Sequence, residues 1–278
     1  MRPSFQAIYS VFKARFKVYT RYPSWFVLSF AYPIFMTLMP VFLAVSVGGS
    51  IQTASEAFNT YAGTPEFIFY ILVGSTVWSI SVNILWDFGM WLYEEMEAGT
   101  LEQLLLTPVL VSELLLGAVM YTLVISLITS FVGLILASAL FGYIHYLLSV
   151  EFIIAIGIIV LGFIPLMGMA VFFGAIVLKI KEPWALFNFL SALLVFIAGV
   201  FYPVTVLPPL ARYVAVTFPA TIQICDSRAV ILHIDYIFDS TIDILILASY
   251  AIFWPVFGGL MFRRVRSELK SKGSIGAH

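Results

Sequence analysis

The sequence predicts an all-α membrane protein. It is expected to have six transmembrane helices, both termini in the cytoplasm, an N-terminal amphipathic interface helix, and short external re-entrant helices before the last span. Three observations predict this. The 278 residues are 62% hydrophobic and only 10% charged, whereas a soluble domain carries about 25% charged residues. Six apolar runs, at 24–47, 66–88, 109–141, 152–178, 183–202 and 241–262, approach or exceed the roughly 20 residues of a membrane crossing. Finally, a six-span count puts 12 of the 14 Lys and Arg residues on one side, and basic residues accumulate on the cytoplasmic side. Five or seven spans would split the basic ends across the membrane.

Each element has its own local reason. In 1–22, Phe5, Ile8, Tyr9, Phe12, Phe16 and Tyr19 recur at helical spacing beside Lys13 and Lys17. This reads as a helix lying in the cytoplasmic interface; a soluble helix packed on another domain is the other reading. It carries neither the apolar core nor the cleavage site of a signal peptide. Arg21-Tyr22-Pro23 breaks it and leads into the six-span body, 23–262. Pro33, Pro40, Pro165 and Pro255 fall inside spans, where kinks are expected. The stretches 48–65 and 142–151 read as loops. The segment 203–240 follows the fifth span, and 263–278 forms a basic tail with Arg263, Arg264, Arg266, Lys270 and Lys272. One cysteine, Cys225, excludes an internal disulfide.

The stretch 93–108, YEEMEAGTLEQLLLTP, concentrates four of the 15 acidic residues and no base. Helix is expected to continue from 66 through Glu97-Ala98, about 50 Å at 1.5 Å per residue, well beyond the roughly 30 Å hydrocarbon core. Gly99 is a natural stop. Thr100 and Gln103 form a capping box for a short helix over 101–106, with Leu101, Leu104 and Leu105 on its apolar side. Thr107-Pro108 starts the third span. Glu94, Glu95 and Glu97 sit at a helix C-terminus, where negative charge is unfavourable, while Glu102 lies in a favourable first turn. A basic partner surface would offset that cost; a merely solvated elbow is the plainer alternative.

The string Glu97-Ala98-Gly99-Thr100-Leu101-Glu102-Gln103-Leu104-Leu105-Leu106-Thr107-Pro108 resembles the E-x-G-T-L-E-x-L-x-x-T-P signature of type-2 ATP-binding-cassette (ABC) exporter permeases. Gly199-Val200-Phe201-Tyr202-Pro203 and Leu207-Pro208-Pro209-Leu210, then Pro219 and Arg228, resemble that family's pattern around its last external loop. The resemblance implies that 93–108 is a coupling helix docking on a separate ATPase subunit, with Glu94, Glu95, Glu97, Gly99, Thr100, Leu101, Glu102, Leu104 and Thr107 at the contact. It implies that the N-terminal helix also touches that subunit and that 203–240 forms the external re-entrant helices, with Pro203, Pro208, Pro219 and Arg228 in the loop pattern. It further implies a multi-pass protein of a prokaryotic plasma membrane, closer to the drug- and lipid-exporting branch than to the polysaccharide-exporting one.

No G-x-x-x-x-G-K-[ST] loop is present in the sequence, so ATP and Mg would be bound by the partner, with no cofactor in this chain. A homodimer with two ATPases is expected, in contact with membrane lipid and not with nucleic acid. The family's pore-facing spans are the second and fifth. Candidates for the path are Ser75, Thr76, Ser79, Asn83 and Asp87, with Asn188, Ser191, Phe196 and Tyr202; helix–helix hydrogen bonding is the alternative role. Glu113 is intramembrane by count but close to the interface. Asp235, Asp239 and Asp243 are spaced by four, giving either an outer cation site or, more simply, a sixth span capped by Ser240. His145, Glu151 and His233 show no ligand spacing. The function expected is export of an amphipathic or hydrophobic cargo by the membrane subunit of an ATP-driven exporter. Export of a polysaccharide or lipid-linked glycan, a non-transporting scaffold, and an integral membrane enzyme are the alternatives, the last poorly supported by three His and one Cys.

Overall fold

The computed structural model describes residues 5–21, 23–106, 111–180 and 183–271. Among them there is no strand. The helices are α1 (Phe5–Thr20), α2 (Pro23–Gly48), α3 (Ile51–Ala62), α4 (Phe67–Glu97), α5 (Thr100–Leu106), α6 (Val111–Phe141), α7 (Ile144–Leu147), α8 (Val150–Leu161), α9 (Phe163–Ile180), α10 (Pro183–Ile197), α11 (Pro209–Val216), α12 (Pro219–Leu232) and α13 (Ser240–Ser271). A single 3-10 turn, Val204–Val206, precedes α11.

Five helical runs are long and apolar enough to cross a membrane: Phe30–Gly48, Phe67–Glu97, Ser112–Phe141, Val150–Ile180 and Ser240–Leu269. The chain therefore has the character of a multi-pass membrane protein. The fifth expected span, α10, is 15 residues long and falls short of that length. The fourth run is broken into α8 and α9 at Gly162, three residues before Pro165.

α4 is the central helix, buried along most of its length against α2, α6, α9 and α12. Thr37 Oγ1 meets Ser75 Oγ at 2.9 Å and Tyr32 stacks on Trp78 at 5.8 Å, so α2 and α4 are antiparallel. α4 and α6 are antiparallel too: Ser130 meets Ser79 at 3.4 Å, and Phe69 packs on Tyr143 just past α6. α9 and α13 instead run parallel. Gly168 faces Pro255 and Gly258, Phe172 stacks on Phe257, and Lys179 pairs with Glu268 at 3.7 Å. That ion pair is exposed on both sides and adds little stability.

α9 and α13 approach so closely because glycines remove the side chains between them, the small-residue mode of membrane helices. A Cβ on Gly258 would strike the Gly168 carbonyl, whereas one on the adjacent Gly259 would meet nothing. Gly258→Ala is therefore expected to cost about 2 kcal/mol through overpacking and Gly259→Ala none. Thermal midpoints of the two variants in detergent check this; equal midpoints would refute the crossing.

The 48–65 stretch holds a helix where a loop is expected. Ser50 caps it, its hydroxyl accepting from the Thr53 N–H at 3.1 Å, and Gly63 closes it with φ of 72°. Likewise α13 begins one residue later than its capping group: Asp239, not Ser240, accepts the Thr241 N–H at 3.1 Å. Asp235 precedes that helix by five residues, so the spacing of four does not carry it onto a helical face with Asp243. Among the described residues no group of three or more His, Cys, Asp or Glu could hold a metal ion.

Candidate functional site

The elbow forms from local signals. α4 ends at Glu97, Ala98 caps it, and Gly99 turns the chain with φ of 69°. That left-handed conformation suits glycine, whose missing Cβ removes the steric cost. α5 follows, with Leu101 buried in the core and Gln103 exposed. Leu104 packs against the core as well. Thr100 acts differently from the expected capping box. Its hydroxyl donates to the Glu95 carboxylate and to the Glu95 carbonyl at 3.2 Å, and the Trp91 Nε1–H donates to the same carboxylate at 2.9 Å. Glu95 thus ties the end of α4 to the start of α5. Glu94 and Glu97 are exposed. The side chains of Glu102 and Leu105, and all of Thr107 and Pro108, lie outside the described residues.

Behind the elbow, two cavities of about 400 and 560 Å³ abut, both lined by Arg15, Tyr19, Asp87 and Glu94. They lie where α1, α2, α4, α6 and α10 meet. The N-terminal half of α4, Phe67–Ser81, is enclosed by its own chain. Further along, Val82, Asn83, Trp86, Asp87, Met90 and Glu94 escape full burial at helical spacing and form one stripe toward the larger cavity. Trp184, Asn188 and Ser191, at i, i+4 and i+7 of α10, line the opposite wall. Trp86 meets Trp184 edge-on at 5.6 Å and Phe187 at the same distance.

Arg15 projects from α1 into this space. Its guanidinium lies over Tyr121 at 5.0 Å and Trp91 at 5.6 Å. α1 can come this close because Gly117 of α6 leaves room for the backbone at Ile8. Burial holds the Arg15 pKa below its usual value, opposed by the charges of Asp87, Tyr121, Glu94 and Glu95. The face of α1 turned inward is Ile8, Val11, Phe12, Arg15 and Tyr19, while Phe5, Tyr9 and Phe16 stay exposed with Lys13 over Tyr9 at 5.8 Å.

Of the residues singled out for a path, Asn83, Asn188 and Ser191 come together, with Asp87 beside them. Ser75, Thr76 and Ser79 do not join them. They are fully buried, with Ser75 bonded to Thr37, Thr76 to the Leu72 carbonyl at 2.7 Å, and Ser79 to Ser130. Phe196 is 67% exposed on α10, and the Tyr202 hydroxyl donates to its carbonyl. Arg15, Tyr19, Trp86, Trp91, Tyr121 and Trp184 escape sequence reasoning because the cavity is made by five helices spread over the sequence.

A second constellation lies at the opposite end of α4. α12 is sunk between α8, α4 and α13. Its Arg228, completely buried, donates to the Tyr70 carbonyl at 2.8 Å, the Gly199 carbonyl at 2.7 Å and the Val200 carbonyl, with the guanidinium 3.7 Å from the Tyr70 ring centre. Pro219 is buried at the start of α12, Pro208 immediately precedes α11, and Pro203 precedes the 3-10 turn beside a cavity of about 370 Å³. Asp226 and Asp243 are also fully buried, side by side. Burial and the Asp243 carboxyl push the Asp226 pKa up to about 8. Burial likewise pushes the Cys225 thiol up to about 12, which favours its protonated form. Glu113 is buried in the first turn of α6.

No family model matches the chain, and no curated protein matches it.

Proposed function

We propose that this chain is the membrane subunit of an ATP-driven exporter, which moves an amphipathic cargo outward when partner ATPase subunits bind and hydrolyse ATP. The observation that carries the reading is the junction of elbow and cavity. One helix, α4, bears both the acidic elbow and the stripe lining the cavity, so a force on the first reaches the second.

The parallel packing of α9 and α13 supports six crossings. If both run in the same direction across the bilayer, the chain must return between them, and α10 with the residues up to Tyr202 is the apolar segment able to do so. Both termini then lie in the cytoplasm with the basic clusters, in a prokaryotic plasma membrane. On this reading α11 and α12 are the external re-entrant helices. Two copies of the chain with two ATPases form the working unit.

The test is assembly. An ABC ATPase co-expressed with the chain is expected to co-purify, and the double variant Glu97→Lys, Glu102→Lys is expected to lose it by ten-fold or more while the membrane subunit stays folded. Unchanged co-purification and ATP turnover in the charge-reversed variant would sink the coupling role and leave a scaffold that does not transport.

A further inference from the structure

We propose that the inner cavity is a binding site for an organic cation with an aromatic body, with Asp87 as its counter-ion and tryptophan and tyrosine rings as its walls. This deepens the exporter reading by naming the class of cargo, and rests on it only for the cargo's direction of travel.

Size comes first. Cavities of about 400 and 560 Å³ fall in the range of about 300–1,000 Å³ that drug-sized ligands occupy. Charge comes next. The lining carries three carboxylates, Asp87, Glu94 and Glu95, against one guanidinium, Arg15, for a net of −2 when all are ionised. Glu95 is already bonded to Trp91 and Thr100, while Asp87 makes no ion pair within 4 Å among the described residues. An anion would meet this lining as a like charge. A zwitterionic lipid headgroup would bring a phosphate against Asp87 and Glu94, so the lining favours a ligand that is cationic overall.

The walls specify the shape of the cation. Aromatic faces attract cations through the ring quadrupole, most strongly for tryptophan and when water is excluded. The protein's own Arg15 already exploits this, its planar guanidinium lying over Tyr121 and Trp91. Arg15 is thus an internal occupant of the kind the cavity prefers, and a ligand cation competes with it for the same carboxylates. Trp86 and Trp184, edge to face across α4 and α10, offer the further apolar surface that a compact guanidinium does not use.

The experiment uses the purified chain in detergent, without ATPase, and equilibrium dialysis of tetraphenylphosphonium. Saturable binding is expected at one site per chain. Asp87→Asn is expected to weaken it about ten-fold. Arg15→Gln is expected to tighten it several-fold by removing the competitor, a gain that a misfolded variant would not give. Tetraphenylborate, with the same shape and opposite charge, is expected not to saturate. The proposal is overturned if tetraphenylphosphonium does not bind saturably, if tetraphenylborate binds as tightly, or if both substitutions leave the affinity unchanged. ATPase assembly plays no part in this readout, so loss of cation binding and loss of the coupling role are separately visible.

Discussion

Arg228→Met is expected to destabilise the protein by about 3–5 kcal/mol, the scale of breaking a buried charged network, and to lower its thermal midpoint in detergent by roughly 10 °C. The side chain is completely buried and satisfies three carbonyls from two places in the chain: Tyr70 of α4, and Gly199 and Val200 just past α10. Methionine fills similar space but donates nothing, so these carbonyls lose their partner in an apolar setting, at about 1–3 kcal/mol each where no water replaces it. Arg228→Lys is expected to recover only part of the loss, because an ammonium lacks the planar fork that spans separate acceptors. Gly74 gives an independent check. A Cβ there would fall on the Arg228 guanidinium and the Val200 carbonyl, so Gly74→Ala should mimic the loss. The double variant Gly74→Ala, Arg228→Met should cost less than the two single losses added together, since both substitutions disrupt the same guanidinium contacts, which can be lost only once. Strict additivity would mean that the two residues do not share this contact.

Stability is also expected to fall as pH rises through neutrality, because Asp226 and Asp243 occupy one buried site. With both ionised, neither Asp226 oxygen has a donor; with one proton between them, the carboxyls bond each other. The native state therefore binds a proton that the unfolded chain releases near pH 4. An acid with its folded pKa raised contributes full stability below the unfolded value and loses it as pH climbs to the folded value, here about 8. The slope approaches about 1.4 kcal/mol per pH unit in that window. Asp239, Tyr236 and Cys225 sense or add to the same field. Thermal midpoints between pH 5 and 9 check it: the wild type should decline, and Asp226→Asn should flatten the curve, its amide donating where the proton had been. A flat wild-type profile would show that the pair does not share a proton.

Much of the inner elbow was legible because its signals are local. The extension of α4 to Glu97, the turn at Gly99 and a short helix from Thr100 each follow from residues within a few positions of one another. α3 was equally available, announced by Ser50 and Gly63, but its modest apolarity hid it between two stronger spans. The serines of α4 could not be assigned from spacing, since Ser75, Ser79 and Asn83 share a helical face yet only Asn83 reaches the cavity. What separates them is that α2 and α6 cover the N-terminal half of the helix. Arg15 was counted for its charge on the cytoplasmic side; its place over two aromatic rings depends on α1 lying on α6, which no local pattern encodes.

The length of α4 and its lack of proline have a mechanical consequence. It contains 31 residues and no proline, and lateral support from its neighbours resists bending. Such a helix behaves as a stiff lever about 46 Å long. Its N-terminal end is pinned by Arg228, and its C-terminal end carries the elbow. Tilting about that pin by some 5° sweeps the elbow through about 4 Å, while the stripe nearer the middle moves about half as far. Small displacements at the elbow are thus geared down, with a corresponding gain in force, at the cavity wall where Asn83 and Asp87 sit.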